Sequence, residues 1–113
     1  MCQQVLRKQL KLGKIVAMNE SLSKQISEYL SGKEIIKAYI FGSFARGEEK
    51  DTSNVDILVE LSESIGYMKL IKYKYELEDL LHRNVDLVTK AAVSTKIYAV
   101  IQRDWKLIYD RTR

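Results

Sequence analysis

The chain has 113 residues, of which 46% are hydrophobic and 30% are charged. This balance is typical of one globular domain and excludes a disordered or low-complexity protein. A single cysteine and the lack of proline exclude a disulfide framework, a multi-cysteine zinc site and a proline-rich linker. No apolar run is long enough for a transmembrane helix or for the core of a signal peptide, so we expect a cytoplasmic protein.

The excess of basic residues is confined to the start of the chain. The net charge is +4, and the four basic residues among the first fourteen account for all of it. Residues 15–113 carry fifteen basic and fifteen acidic side chains. A nucleic acid is therefore a disfavoured partner, because it would need basic surface on the domain itself. We predict a basic extension over residues 1–18, helical at 3–12, and one domain over residues 19–113.

The first predicted elements of the domain are a helix and a strand. Apolar residues recur at helical spacing over residues 20–31, and Gly32 ends the helix. The members of this stripe are Leu22, Ile26, Tyr29 and Leu30. A β-branched and aromatic run predicts a strand over residues 35–41. Residues 44–47 are predicted to form a short helical turn.

A second strand is predicted over residues 54–61, after a polar loop at 48–53. Its residues alternate in polarity, which is typical of a strand with one buried face. The apolar face carries Val55, Ile57, Val59 and Leu61. The opposite face carries Asn54, Asp56, Leu58 and Glu60.

The rest of the chain is predicted as helix, strand, helix and strand. The first of these helices spans about 66–82, and its helical periodicity predicts one buried stripe. The members of that stripe are Leu70, Tyr73, Leu77, Leu80 and Leu81. A strand at 85–89, a helix at 93–103 and a strand at 106–110 follow. The fold class is therefore α+β, an α/β layer in which helices pack on one small mixed sheet.

The turn at Gly42-Ser43 is the first candidate for a ligand site. Glycine lets the backbone approach a ligand closely, and N–H groups at the start of a helical turn favour a phosphate. A glycine–serine pair is also an ordinary turn, so both interpretations stand for this feature alone.

Oxygen side chains on two predicted strands are the second candidate. Strand periodicity puts Asn54 and Asp56 on one face, and Asp86 interrupts the apolar strand at 85–89. If the two strands are neighbours, these side chains can meet near the glycine turn and share a hard cation such as Mg²⁺. Such a site supports metal-assisted phosphoryl or nucleotidyl transfer. The alternative is a solvent-facing strand surface without a ligand.

Three segments together carry a family resemblance: residues 40–48 (IFGSFARGE), 53–60 (SNVDILVE) and 85–88 (VDLV). They resemble the minimal nucleotidyltransferases of the DNA polymerase β-like superfamily. The pattern of that family is a Gly-Ser-x-Ala-Arg-Gly turn, an Asp-x-Asp pair and a third Asp on a later strand. The resemblance implies a polymerase β palm-like fold and Mg²⁺- or Mn²⁺-dependent transfer of AMP from ATP to a hydroxyl of a partner protein. It also implies an antitoxin paired with a HEPN-domain toxin.

The resemblance implies roles for individual residues. Gly42 and Ser43 would hold the triphosphate of ATP. Asp56 and the residue at position 54 would ligate the metal. Asp86 would complete the site and help to activate the acceptor hydroxyl.

One position departs from the family pattern. The first acid of the Asp-x-Asp pair is Asn54 here, and its amide oxygen carries no charge to hold a metal. Three accounts follow from this substitution. The enzyme is slow but active; or it is an impaired enzyme that works by binding its partner; or an Asp→Asn change has been introduced at position 54.

Arg46 and the acceptor side of the site are less defined by the sequence. Arg46 would brace the phosphates or the loop, and the alternative is a salt bridge to Glu48 or Asp51. The chain has no second domain for an acceptor, so we expect a partner protein or a second copy of the chain to complete the acceptor pocket. Tyr67 and Tyr75 are candidates for a partner surface.

Overall fold

The computed structural model describes residues 21–50 and 53–112, and its centre is a four-stranded mixed sheet. The strands are β1 (Ile35–Phe41), β2 (Val55–Leu61), β3 (Val85–Thr89) and β4 (Lys106–Asp110). Their order across the sheet is β3-β2-β1-β4. β1 is antiparallel to both of its neighbours, whereas β2 and β3 run parallel. The predicted α+β class and mixed sheet are confirmed.

Four α-helices accompany the sheet within residues 21–50 and 53–112. They are α1 (residues 21–30), α2 (Ser43–Arg46), α3 (Tyr67–Leu81) and α4 (Thr95–Asp104), and a short 3₁₀ turn at Lys90–Ala92 precedes α4. The order of elements predicted for the domain is confirmed. None of the helices in the described ranges is both long and apolar enough to cross a bilayer. The predicted helix at 3–12 and the extension over 1–18 lie outside the described residues.

Helix α3 is the connection that allows β2 and β3 to run parallel, since parallel neighbours need a long crossover. It packs on β3 through the side that carries Tyr73, Leu77 and Leu81. The interior between α1, α3 and the sheet is entirely apolar among the described residues. Burying each large aliphatic side chain there contributes roughly 1.5–3 kcal/mol, so this face fixes the strands that carry the site.

Two details differ from the predicted burial. Leu80 is 42% exposed, so its assignment to the buried stripe of α3 is wrong. The buried residues of α3 are spaced four apart, at Tyr73, Leu77 and Leu81, and Leu80 lies to the side of that row. Leu58 is buried although it shares a face with Asp56. Its partner across the strands is Tyr39, whose ring stacks on Trp105 at 3.8 Å between centroids. The second face of β2 is therefore covered as well.

Candidate active site

Two carboxylates lie side by side at the start of the parallel strands. Asp56 is the second residue of β2, Asp86 is the second residue of β3, and the two are direct partners in the parallel register. Partners on neighbouring strands point to the same face of a sheet. The predicted meeting of Asp56 with Asp86 is therefore present in the structure.

The environment of Asp56 disfavours its negative charge. Burial, and then the neighbouring Asp86 carboxylate, raise the pKa of Asp56 from 3.8 to about 6, and the positive charge of Arg46 opposes this shift. Two adjacent carboxylates repel each other unless a proton or a cation lies between them. Near neutral pH, the pair therefore favours the binding of a proton or a cation.

Gly42 brings the backbone against this pair. It joins β1 to α2 with φ 74° and ψ −150°, a conformation that side chains with a Cβ rarely adopt. A Cβ at this position would overlap Oδ2 of Asp56. Ser43 follows as the first residue of α2. The predicted phosphate-binding turn and the carboxylate pair are therefore in direct contact.

Arg46 links two elements next to the turn. Its Nε lies 2.9 Å from Oε2 of Glu48, and its Nη1 lies 3.1 Å from Oδ2 of Asp104 at the end of α4. The predicted salt bridge to Glu48 is confirmed, whereas Asp51 lies outside the described residues. The bond to Asp104 is not foreseen from sequence, because 58 positions separate the two residues. Binding of phosphates by Arg46 stays a prediction.

Asn54 lies beside Asp86. Its Nδ2 is 3.5 Å from Oδ2 of Asp86, at the outer limit of a hydrogen bond, and its side chain is exposed. Within the described ranges, no three His, Cys, Asp or Glu side chains cluster closely enough to hold a metal. The donors at this point of the sheet are therefore two carboxylates and one amide. This set suits one Mg²⁺ ion, which is commonly held by one or two carboxylates and completed by substrate phosphates.

A cleft of about 360 Å³ opens in front of the pair. Asp56 and Asp86 line it on the side of the sheet, and one wall comes from α3. The residues of α3 in this wall are Tyr67, Leu70, Ile71 and Lys74. From the sequence, Tyr67 is a candidate for a partner surface and Leu70 a member of the buried stripe, whereas Ile71 and Lys74 have no predicted role. Their spacing of three and four along α3 is the signal that marks them as one helix face.

A larger cleft, about 550 Å³, lies at the other end of the same two strands. Glu60 of β2 and Lys90, directly after β3, both line it, and their charged atoms are 3.9 Å apart. The sequence patterns predict no functional role for either residue.

The comparison with known families decides the family of the chain. The model of the family described as polymerase beta, nucleotidyltransferase, matches residues 24–113. The chain belongs to this family. A Thermococcus cleftensis relative, the protein adenylyltransferase MntA, is 36% identical over 95 residues, which cover 84% of this chain and 93% of the relative. The resemblance to minimal nucleotidyltransferases is thereby confirmed.

Solved structures share the fold of this family member. A toxin–antitoxin crystal structure with AMP-PNP superposes with a TM-score of 0.71 at 22% identity, covering 78% of this chain and 73% of that chain. A chain in the structure of a tri-AMPylated Shewanella oneidensis HEPN toxin in complex with MNT antitoxin gives a TM-score of 0.68 at 19% identity. That match covers 83% of this chain and 74% of the other. Both comparisons support the nucleotidyltransferase fold.

Proposed function

We propose that this family member transfers AMP from ATP to a hydroxyl of a partner protein, and that the partner is a HEPN-type toxin which the transfer silences. The observation that carries the proposal is the contact between the Gly42 turn and the Asp56–Asp86 pair. The relative named protein adenylyltransferase supports AMP transfer, and the likeness to toxin–antitoxin structures supports the kind of partner.

The transfer needs one bond to form and one to break. The acceptor oxygen forms a bond to the α-phosphorus of ATP, and the bond from that phosphorus to the bridging oxygen of the β-phosphate breaks. Pyrophosphate leaves with the electron pair, and the hydroxyl proton passes to a carboxylate. Asp86, the more exposed member of the pair, is suited to accept that proton. Gly42 and Ser43 would hold the departing phosphates through backbone N–H groups.

The residues of the pair fit a divalent cation. Both carboxylates point to one face, and a cation would offset the repulsion that raises the pKa of Asp56. Asp56 and Asp86 would hold Mg²⁺ or Mn²⁺, with Asn54 as a weaker, neutral neighbour. The bound ion would supply charge neutralisation of the triphosphate.

Transfer of label from α-³²P-ATP tests the proposal. The chain is incubated with Mg²⁺ or Mn²⁺ and a candidate HEPN-domain partner protein. We expect label on the partner and a loss of about 100-fold or more in Asp56→Asn and in Asp86→Asn, because each removes a charge from the pair. Lys72→Met, a change at an exposed residue of α3, is the matched control. Equal labelling by wild type and Asp86→Asn would contradict the proposal.

Asn54 favours a second candidate function, an antitoxin that is catalytically impaired and neutralises its toxin by binding. The amide lies where the family pattern has an acid, and it adds no negative charge to the pair. Co-expression of toxin with wild type or Asp56→Ala separates the candidates. Full protection of growth by Asp56→Ala, with no label transferred by wild type, would establish binding as the function. Protection by wild type alone would support transfer.

A further inference from the structure

One wall of the cleft in front of the carboxylates is a face of α3. Tyr67, Leu70 and Ile71 give this wall an aromatic and aliphatic surface, and Lys74 adds a positive charge. Tyr67 is 74% exposed, so its ring stands at the mouth of the cleft rather than in the core. No structural role in the core explains this ring.

Lys74, which lines the same cleft as the pair, is held in place by a short chain of contacts. Its Nζ lies 3.1 Å from Oε2 of Glu78, one turn along α3. The same oxygen of Glu78 accepts a hydrogen bond of 3.0 Å from the backbone N–H of Val85. Val85 immediately precedes Asp86 in β3, so the ammonium group is tied to the strand that carries the second carboxylate. A restrained cation costs less entropy when it meets a ligand.

The order of the strands places the Gly42 turn and Asp86 on different sides of the site. Gly42 follows β1 and touches Asp56 on β2, whereas Asp86 lies on β3 at the outer edge of the sheet. In phosphoryl transfer the attacking and leaving oxygens lie roughly in line. If the pyrophosphate departs over the Gly42 turn, the acceptor oxygen arrives from the opposite side. That side is bounded by β3 and by the α3 face.

We infer that this face of α3 is the subsite for the acceptor residue, an inference that rests on the proposed transfer to a partner protein. Tyr67, Leu70 and Ile71 hold the apolar part of a hydroxyl-bearing side chain. Lys74 contacts the acceptor at the hydroxyl end, where its charge favours the oxygen as it loses its proton. The nucleotide is held at the Gly42 turn and does not depend on this wall.

Two variants test the subsite without disturbing the core. Tyr67→Ala removes the exposed ring, and Lys74→Met keeps the length of the side chain but removes its charge. Lys72→Met is the control, because Lys72 is two residues from Lys74 and lies on another side of α3. For each variant, KM and kcat are measured with the HEPN partner, and the Kd of Mg²⁺·AMP-CPP, an analogue that resists cleavage at the α–β bridge, is measured by calorimetry. Circular dichroism verifies that each variant is folded.

We expect the kcat/KM for the acceptor to fall about tenfold or more in both variants, while the Kd of AMP-CPP stays within about twofold of wild type. The control leaves both quantities unchanged. A rise in the Kd of AMP-CPP with an unchanged acceptor KM would overturn the inference, because the wall would then bind the nucleotide. Variants equal to wild type in both quantities would also overturn it. If wild type transfers nothing to the partner, the proposed function itself fails and the inference fails with it.

Discussion

The parallel strands β2 and β3 carry a charged pair at each end, and the two pairs are of opposite kinds. At the start of the strands, Asp56 and Asp86 are like charges in one row of the sheet. Beyond their other end, Glu60 and Lys90 are opposite charges 3.9 Å apart. Each pair lines a cleft, and the cleft at Glu60 is the larger, about 550 Å³ against about 360 Å³.

The contrast shows that the size of a cleft is a poor guide to function in this chain. Glu60 and Lys90 form an ion pair in which each charge offsets the other. Asp56 and Asp86 cannot neutralise each other, and their repulsion is relieved only by a proton or a cation. Repulsion of this kind opposes folding, and perturbed groups of this kind concentrate at functional sites. The smaller cleft is therefore the one in which we propose that the transfer takes place.

The largest expected effect comes from filling the space between the Gly42 turn and the carboxylates. Gly42→Ala places a Cβ against Oδ2 of Asp56 and forces a side chain into φ 74°. We expect transfer to fall by about 100-fold and the free energy of unfolding to fall by about 1–3 kcal/mol. Transfer of label and urea denaturation measure the two effects. Gly66→Ala is the control, since nothing lies within 4 Å of a Cβ there. If Gly42→Ala transferred label at the wild-type level, the Gly42 turn would have no part in the transfer.

A change at position 54 tests the same site by adding a negative charge to it. Asn54→Asp adds a third carboxylate next to Asp86. We expect the affinity for Mg²⁺ to rise by about tenfold, together with the rate of transfer at low Mg²⁺, because more anionic ligands hold the ion. A titration of transfer rate against Mg²⁺ concentration measures this. An unchanged Mg²⁺ dependence would mean that Asn54 lies outside the metal site.

The like-charge pair should also affect the free energy of unfolding. The pKa of Asp56 is raised from 3.8 to about 6 in the folded state, so protonation favours folding. The free-energy cost of the charged Asp56 carboxylate is absent below about pH 4, grows as the pH rises through 6, and is constant above that. We expect Asp56→Asn to be more stable than wild type by about 1 kcal/mol near pH 7.5, after allowing for solvent screening, and equal to it near pH 3.5. Urea denaturation at both pH values, with Asp79→Asn as control, measures the difference. A variant less stable than wild type near neutral pH would show that Asp56 is not destabilised by its surroundings.

The smallest effect is expected at the opposite-charge pair. Lys90→Met breaks an exposed ion pair and should change the free energy of unfolding by no more than about 0.5 kcal/mol. Transfer of label should stay at the wild-type level, since the pair lies at the far end of β2 and β3. A loss of transfer in Lys90→Met would show that the two ends of these strands are coupled.

The sequence predicts the strands of this sheet well, for local reasons. β1 and β2 are bounded by turn residues, and the alternation from Val55 to Leu61 has no competing helical period. The meeting of Asp56 with Asp86 follows once the two strands are taken as neighbours. The direct register between them, however, depends on how α3 packs on β3, which is a property of the whole core.

Features that depend on the rotation of a helix or on distant contacts are not predictable from the sequence in this way. The exposure of Leu80 and the placement of Lys74 in the cleft both depend on which side of α3 faces the sheet. The bond from Arg46 to Asp104 joins residues that are 58 positions apart in the sequence. Local propensity carries no information on such contacts.

Calorimetric titration of the chain with Mg²⁺·AMP-CPP tests the central claim most directly, with Asp86→Asn and Glu60→Gln as the two variants. Each variant removes one negative charge, but at opposite ends of the same strands. The account predicts a saturable site in wild type, an affinity at least about tenfold lower in Asp86→Asn and an unchanged affinity in Glu60→Gln. Equal affinities in wild type and Asp86→Asn, or a loss confined to Glu60→Gln, would contradict the claim that the Asp56–Asp86 pair is the nucleotide site.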